Sequence, residues 1–241
     1  MLKKVALLAA LTAVAFPVSA ENYKTEITGE FENVDANTSQ QRLTAGVRYH
    51  FLEVLAARRP YAEAAFLQRS SNVWATHTEL DADNFDARVL NVGADFFVPE
   101  SVFFVAGGVT RFESDDDDDT TWRVTGGVLP VDGLLVTTTY VENIDYDLNL
   151  DLKYVTRMFT GRYLNLTANY SNGDEDDNYG FGVDYYLDRA TSFGVSAQSE
   201  GDNSSFGVRA RHFFTPLAFG AASFSSGDEV DTIKIEGGFR F

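Results

Sequence analysis

Hydrophobic and polar residues alternate with a period of two along most of the chain after residue 20. In residues 178–187 one face is apolar and aromatic, formed by Tyr179, Phe181, Val183, Tyr185 and Leu187. The same alternation recurs in 41–52, 204–214 and 232–241, whereas helical spacing of three and four residues is almost absent. A period of two is typical of β-strands whose two faces meet different surroundings. The pattern predicts an all-β protein.

The alternation predicts about fourteen strands when each strand takes about ten residues. The facing of 61–74, which is rich in alanine, and of 217–226 is ambiguous, and twelve or sixteen strands are the alternatives. The predicted strands are 22–33, 41–52, 61–74, 87–98, 102–112, 121–130, 134–143, 146–157, 162–172, 178–187, 191–199, 204–214, 217–226 and 232–241.

The connections between these strands alternate in charge. One set holds 24 of the 36 Asp and Glu residues and no Lys or Arg: 35–40, 76–86, 113–120, 142–151, 173–178, 200–203 and 227–231. The other set is short and nearly neutral: 52–60, 99–101, 130–133, 157–162, 188–190 and 214–216. Successive turns of an antiparallel meander lie at opposite ends of the sheet. The sequence therefore predicts a molecule with one strongly negative end, and it predicts that no acidic connection is long enough to plug the interior.

The composition of the two faces separates a soluble from a membrane β protein. A soluble sandwich or barrel, the alternative here, points its apolar face inward and carries long charged residues outside. In this chain the polar face mixes Gly, Ser, Thr and Asn with charged residues, and aromatic residues cap the apolar face near the strand ends. This arrangement favours lipid outside and water inside. Backbone groups in hydrocarbon must all be paired, so the sheet is expected to close into a transmembrane antiparallel up-and-down barrel.

The first twenty residues indicate export. Lys3 and Lys4 precede an apolar run over 5–16, and Pro17 to Ala20 resembles a cleavage site, so residues 1–20 are predicted to be a signal peptide cleaved after Ala20. The apolar run is shorter than the roughly 20 residues of a spanning helix. There is no cysteine to form a disulfide or carry a lipid. Residues 21–241 are then one outer-membrane barrel domain.

The charge balance excludes some partners. The full chain has a formal charge of −17, with 19 Lys and Arg and 36 Asp and Glu, and loss of Lys3 and Lys4 makes it more negative. Nucleic acid is therefore excluded as a partner. A hydrophobic content of 44% with 20 Phe and 11 Tyr also excludes a disordered acidic protein.

The last strand resembles the assembly signal of Gram-negative outer-membrane barrels. Its apolar residues alternate up to the terminal Phe, with Gly237 as the one departure: Ile233, Ile235, Phe239 and Phe241. The segments "GVRYHF", "AEAAFLQRSS" and "KYVT" also resemble the general bacterial porin family. The resemblance implies short periplasmic turns, acidic extracellular loops and a location in the cell outer membrane. The implied partners are outer-membrane lipid and lipopolysaccharide, the barrel-assembly machinery with periplasmic chaperones, and small hydrophilic solutes. Monomer and homotrimer both stay open.

The expected function is a passive diffusion pore, because a barrel of about sixteen strands leaves an aqueous channel whereas one of about eight is filled by side chains. The charged residues of the polar face are predicted to set its selectivity. They form either a basic wall opposite an acidic one or a set of stabilising ion pairs. The predicted pore-lining residues are Lys24, Glu26, Glu30, Arg42, Arg48, Asp95, Arg123, Asp151, Lys153, Asp184, Arg209, Arg211, Lys234, Glu236 and Arg240.

Other functions have weaker support from the residues. A channel specific for anionic oligosaccharides and a structural or adhesive barrel are the alternatives. A hydrolase needs a base beside its nucleophile, and the three histidines have no obvious partner, so no enzyme and no cofactor are expected.

The aspartate run Asp115–Asp119 copies part of a metal site. Asp115, Asp117 and Asp119 match the first three ligand positions of a calcium loop, but Thr120 replaces the glycine and Gly126 replaces the last glutamate. The run is therefore predicted to be a solvated tip, with weak divalent contact to lipopolysaccharide as the alternative to a dedicated site.

Overall fold

The chain forms a closed antiparallel β-barrel. The structure, a computed structural model, describes residues 21–36, 39–82, 85–115, 118–144, 148–172, 177–228 and 230–241. These residues contain fourteen strands, so the predicted architecture and strand number are confirmed. The strands are β1 (Tyr23–Asp35), β2 (Gln40–Val54), β3 (Asn72–Ala82), β4 (Phe85–Phe97), β5 (Phe103–Ser114), β6 (Asp118–Val131), β7 (Leu134–Val141), β8 (Leu148–Arg157), β9 (Tyr163–Asn172), β10 (Asp177–Tyr186), β11 (Thr191–Glu200), β12 (Asn203–Thr215), β13 (Ala218–Gly227) and β14 (Asp231–Arg240).

The barrel closes where the first strand meets the last. Every strand pairs with its neighbours in the chain, and β1 pairs with β14 in continuous register from Glu26 opposite Arg240 to Asp35 opposite Asp231. The carbonyl oxygen of Phe241 accepts hydrogen bonds from the backbone nitrogens of Lys24 and Thr25 at 2.9 and 2.8 Å. Closure leaves no open sheet edge, which is the condition for a sheet to lie in hydrocarbon.

The two faces of the barrel follow the period-two pattern. On β2, Val47 and Tyr49 are exposed on the outside, whereas Arg48 between them reaches Asp95 inside. Ile233 and Ile235 on β14 are exposed in the same way. An apolar outer face around a polar interior is the reverse of a soluble barrel.

The connections separate into two ends. We call one the acidic end, where β1 is joined to β2, β3 to β4, and so on in pairs up to β13 and β14. The other is the turn end, formed by 55–71, 98–102, 132–133, 158–162, 187–190 and 216–217. Strands run further toward the acidic end than predicted, because Glu113 pairs with Asp118 and β3 continues to Ala82.

The prediction of a strand over 61–74 is wrong. Tyr61–Glu63 forms a 3-10 turn, Ala64–Leu67 forms the single helical turn α1, and β3 begins only at Asn72. The sequence between Glu63 and Leu67 is rich in alanine, which favours helix over strand. No helix among the described residues is long and apolar enough to cross a membrane. We call residues 55–71, which join β2 to β3, the inward segment.

The inward segment crosses the interior of the barrel at the turn end. Its Glu63 contacts Lys153 on β8 and Tyr186 on β10, which lie on the far side of the strand ring from β2 and β3. A small apolar core forms beneath it from Tyr23, Val54, Ala56, Ala64 and Leu217, against which Tyr61, Ala65 and Phe239 pack. The turn end of the barrel is therefore narrowed by a small apolar core, and the rest of the interior is lined with polar groups.

Candidate functional site: the barrel lumen

Among the cavities that the described residues form, two lie on either side of the inward segment. The larger one, about 880 Å³, extends toward the acidic end, and we call it the acid-end cavity. The smaller one, about 290 Å³, lies at the turn end and is called the turn-end cavity. Glu63 lines the first, Ala62, Ala65 and Phe66 line the second, and Lys153 lines both. The inward segment is thus the partition between them.

Most of the predicted pore-lining residues face these cavities. The acid-end cavity is lined by Glu30, Arg42, Lys153, Asp184, Arg209, Arg211, Lys234 and Glu236. The turn-end cavity is lined by Glu26, Arg48, Asp95, Lys153 and Arg240. The structure thereby brings these groups together around the two cavities of the lumen, and their role in ion selectivity stays a prediction.

Three predicted residues line neither of these cavities. The pairing of β1 with β2 is irregular between Tyr23 and Thr25, and Lys24 is exposed there while Tyr23 is buried under Arg240. Arg123 lies over the Trp74 ring at 5.2 Å, and Asp151 is exposed on β8. A bulge reverses the facing of a strand end, which simple alternation does not anticipate.

The basic groups of the acid-end cavity lie beside carboxylates on nearby strands. The Nη2 atoms of Arg209 and Arg211 lie 2.7 and 2.8 Å from Asp184 and Glu236. The same pattern continues around the barrel with Arg42–Glu32, Lys234–Glu30, Lys234–Glu32, Arg48–Asp95 and Arg240–Glu26. The more exposed of these pairs contribute about 0–1 kcal/mol each, and the Arg240–Glu26 pair is largely buried. This arrangement favours stabilising ion pairs over a basic wall facing an acidic one.

Glycines widen the lumen beside β10, β11 and β12. Arg209 reaches from β12 across β11 to Asp184 on β10, and it passes directly over Gly194. A Cβ atom on Gly194 would lie 2.7 Å from Arg209 Nε, and one on Gly182 would lie 2.5 Å from Thr167 Oγ1. The absence of side chains therefore lets the arginine lie flat against the wall and leaves the cavity open.

Glu63 fastens the middle of the inward segment across the lumen. Tyr186 Oη donates a hydrogen bond to Glu63 Oε1 at 2.7 Å, and Lys153 Nζ lies 2.8 Å from Oε2. Sequence reasoning missed Glu63 because it placed the residue in a strand. Tyr186 lay on the polar face of its strand but was not considered, since tyrosine is also common on lipid-facing surfaces.

Arginines hold the rest of the inward segment at the turn end. Arg189 donates to the carbonyl oxygens of Ala56 and Arg59 at 2.7 and 3.1 Å, and its own carbonyl accepts from Tyr61 N at 2.8 Å. Its guanidinium also binds Glu21, and this hydrogen bond lowers the pKa of the Glu21 carboxyl below its usual value.

Two further arginines complete these contacts. Arg240 Nη1 donates to Tyr61 O at 2.8 Å, and Arg69 Nη2 lies 2.9 Å from Asp132 Oδ1 in the connection between β6 and β7. The segment is therefore bound to strands and turns on several sides of the barrel.

The aspartate run does not form a metal site in the described part of the chain. No three His, Cys, Asp or Glu side chains converge there. Asp115 is exposed, Asp118 and Asp119 belong to β6, and Asp119 Oδ1 accepts from Thr120 N at 2.7 Å. Asp117 lies outside the described residues.

The residues of the predicted assembly signal lie on the last strand and at the residue after it. Ile233, Ile235 and Phe241 are exposed, whereas Phe239 packs against the apolar core and its ring lies 6.2 Å from that of Phe241. Their recognition during assembly stays a prediction.

Comparisons with known proteins identify the family. The model of the family described as "Putative general bacterial porin" matches residues 2–129 and 126–237. The crystal structure of the Acinetobacter baumannii outer membrane protein Omp33 is similar at 24% identity, with 92% of this chain and 100% of that chain covered and a TM-score of 0.77. A bacterial polysaccharide outer membrane secretin is similar at 7% identity, with 91% and 99% covered and a TM-score of 0.54. A search of the curated proteins found no match. The chain therefore belongs to the general bacterial porin family and is an outer-membrane β-barrel porin.

Proposed function

We propose that this porin passes small hydrophilic solutes by passive diffusion, and that the inward segment sets the size of the passage. The observation that carries this proposal is the division of the polar lumen into cavities of about 880 and 290 Å³. Lys153 borders both cavities, so a passage joining them would run past this residue. A solute moving along it meets charged, hydroxyl and amide groups that replace its water contacts.

The proposal includes the route to the membrane. Residues 1–20, which lie outside the described residues, act as a signal peptide cleaved after Ala20, and residues 21–241 form the single barrel domain. Glu21 is bound to Arg189 at the turn end, so cleavage at this point would leave the barrel contacts intact. Periplasmic chaperones and the barrel-assembly machinery would then insert the chain among lipid and lipopolysaccharide.

A hydrolytic function has little support from the serine and histidine pair that the described residues place beside the turn-end cavity. Ser70 Oγ lies 3.0 Å from His50 Nδ1, but the residues are only 5% and 1% exposed. They lie where the inward segment rejoins the barrel, next to the Asn72 side chain that donates to Ser70 O. The pair therefore fits a structural role, and the proposed function is non-enzymatic.

A channel specific for anionic oligosaccharides would need a track of available basic groups. In the acid-end cavity Arg42, Arg209, Arg211 and Lys234 lie against carboxylates instead. This pairing supports a general diffusion pore over a channel specific for anionic oligosaccharides.

Reconstitution tests the proposal directly. In liposome swelling, we expect the rate to fall steeply as the mass of a neutral sugar increases, and in planar bilayers we expect ohmic conductance without block by oligosaccharides. Absence of swelling and conductance would overturn the proposed function. Saturable block by an anionic oligosaccharide would instead indicate a channel specific for such oligosaccharides.

The predicted role of the lumen charges in ion selectivity is tested by removing two positive charges. Replacing Arg209→Gln and Arg211→Gln leaves Asp184 and Glu236 without these partners, so the reversal potential in a salt gradient should shift toward cations. Lys24→Gln is the control, because the β1 irregularity leaves Lys24 exposed and outside the lining of both cavities, and it should leave the potential unchanged. An equal potential in all three proteins would remove Arg209 and Arg211 as selectivity residues.

A further inference from the structure

We propose that Lys153 and Tyr186 form a carboxylate-binding site at the base of the acid-end cavity. In this structure the chain's own Glu63 occupies the site, and small carboxylate solutes compete with it. The inference rests on the proposed function, because a solute reaches the site through the pore. It adds a chemical class of solute and a defined place where that solute binds.

The geometry of the site is that of a carboxylate receptor. Tyr186 Oη donates to Glu63 Oε1 at 2.7 Å, and the ammonium of Lys153 lies 2.8 Å from Oε2. The Glu63 side chain is only 6% exposed, and Tyr186 is 4% exposed. A neutral donor and a positive charge thus face the two oxygens of one group. Hydrogen bonds to an ionised acceptor are among the stronger ones in proteins.

Glu63 fills this site imperfectly. Its Oε2 is buried and accepts no well-aligned hydrogen bond among the described residues, although Lys153 Nζ is near. A buried carboxylate oxygen without a directed donor carries a desolvation cost. Glu63 is attached to a segment whose backbone is held by Arg189 and Arg240, whereas a free carboxylate can approach the two donors from any position in the cavity. A small solute is therefore a better ligand than the tethered side chain in this respect.

The site is open to solutes from the acidic end. Glu63, Lys153 and Tyr186 all line the cavity of about 880 Å³. The Lys153 side chain is 35% exposed and lines this cavity, so a solute can contact it without unfolding of the barrel. The cavity also leaves space above the site for the remainder of a small organic acid.

Occupancy by a solute would loosen the inward segment. The Glu63 contacts with β8 and β10 are those that fix the middle of the segment to the far wall. The arginine contacts to Ala56, Arg59 and Tyr61 lie at the turn end and do not depend on the Glu63 carboxylate. A bound solute therefore releases the centre of the partition while its ends stay attached.

Chemical rescue tests the site. Glu63→Ala leaves the carboxylate position empty, so sodium acetate should raise the thermal unfolding temperature of this variant more than sodium chloride at equal ionic strength. Wild-type protein should need about tenfold or more acetate for the same rise, because the tethered Glu63 competes at a high effective concentration. The double variant Glu63→Ala/Lys153→Met should lose the acetate-specific response.

A matched control uses another lumen carboxylate. Glu30→Ala removes a partner of Lys234, but Lys234 keeps Glu32 at 2.9 Å, so acetate should act no differently from chloride. Equal effects of acetate and chloride on Glu63→Ala, or an unchanged acetate response in the double variant, would overturn the inference. Conductance without rescue would reject this site alone, whereas rescue in a protein without conductance would reject the proposed pore alone.

Discussion

Two connections at the turn end each join a pair of neighbouring antiparallel strands, but they differ greatly in length. Residues 132–133 join β6 to β7, and the inward segment 55–71 joins β2 to β3. Both strand pairs are antiparallel neighbours, which a two-residue turn can connect. The additional length of the inward segment is therefore not required by the barrel. Its contacts lie instead across the lumen, where it separates the two cavities.

The two connections also differ in what stabilises them. In the short turn, Gly133 adopts φ of +80°, a conformation that glycine tolerates without the cost other residues incur. The inward segment contains only one turn of helix, which has little stability by itself. It is held by hydrogen bonds from three residues elsewhere in the barrel, namely Arg189, Arg240 and Tyr186. The difference shows that the conformation of the short turn depends on its own residues. The conformation of the inward segment depends on contacts with side chains of the surrounding barrel.

The largest effect should come from making the two connections alike. If residues 56–69 are replaced by Asp-Gly, the pairing of β2 with β3 from His50 and Asn72 onward is retained, and single-channel conductance should increase several-fold. Shortening 158–162 in the same way is the control and should leave conductance unchanged. An unaltered conductance after removal of the inward segment would show that the constriction lies elsewhere.

An intermediate effect is expected from the short turn. In Gly133→Ala the new Cβ would collide with the carbonyl oxygen of Val155, and the positive φ would add backbone strain. The free energy of unfolding should fall by about 1–3 kcal/mol. Gly126→Ala is the matched control, since its Cβ would meet nothing within 4 Å. Denaturant titration in detergent micelles measures both, and equal losses would contradict the role assigned to Gly133.

The smallest effect concerns pH. The Arg189 hydrogen bond lowers the pKa of Glu21, so this pair stabilises the folded state at neutral pH and the contribution is lost as the pH falls through the lowered pKa. Because both side chains are partly exposed, the contribution is about 0–1 kcal/mol. The unfolding temperature of wild type should therefore exceed that of Glu21→Gln at neutral pH, and the gap should close in acid. A gap that is constant with pH would exclude this pair as its source.

The parts of the fold that sequence predicts are those set by neighbouring residues. Alternation around Val47, Phe181 and Ile235 assigns the outer face, because side chains on a strand point to opposite sides in turn. The same rule places Arg209 and Lys234 inside. It fails at Lys24, where a bulge interrupts the register, and at Glu63, where an alanine-rich stretch with ambiguous facing was taken as a strand.

The sequence by itself determined the inner and outer faces and the unequal charge of the two ends, since both depend on spacing along the chain. It predicted about fourteen strands, which is the number observed, but it misplaced the third strand. Only the tertiary structure decided which side chains in the lumen contact each other. Glu63 and Tyr186 are separated by 123 residues, and Arg240 and Glu26 by 214. Such contacts depend on barrel closure and on the register of many strand pairs. The partition of the lumen follows from that closure, because only a closed barrel places β8 and β10 opposite the connection between β2 and β3.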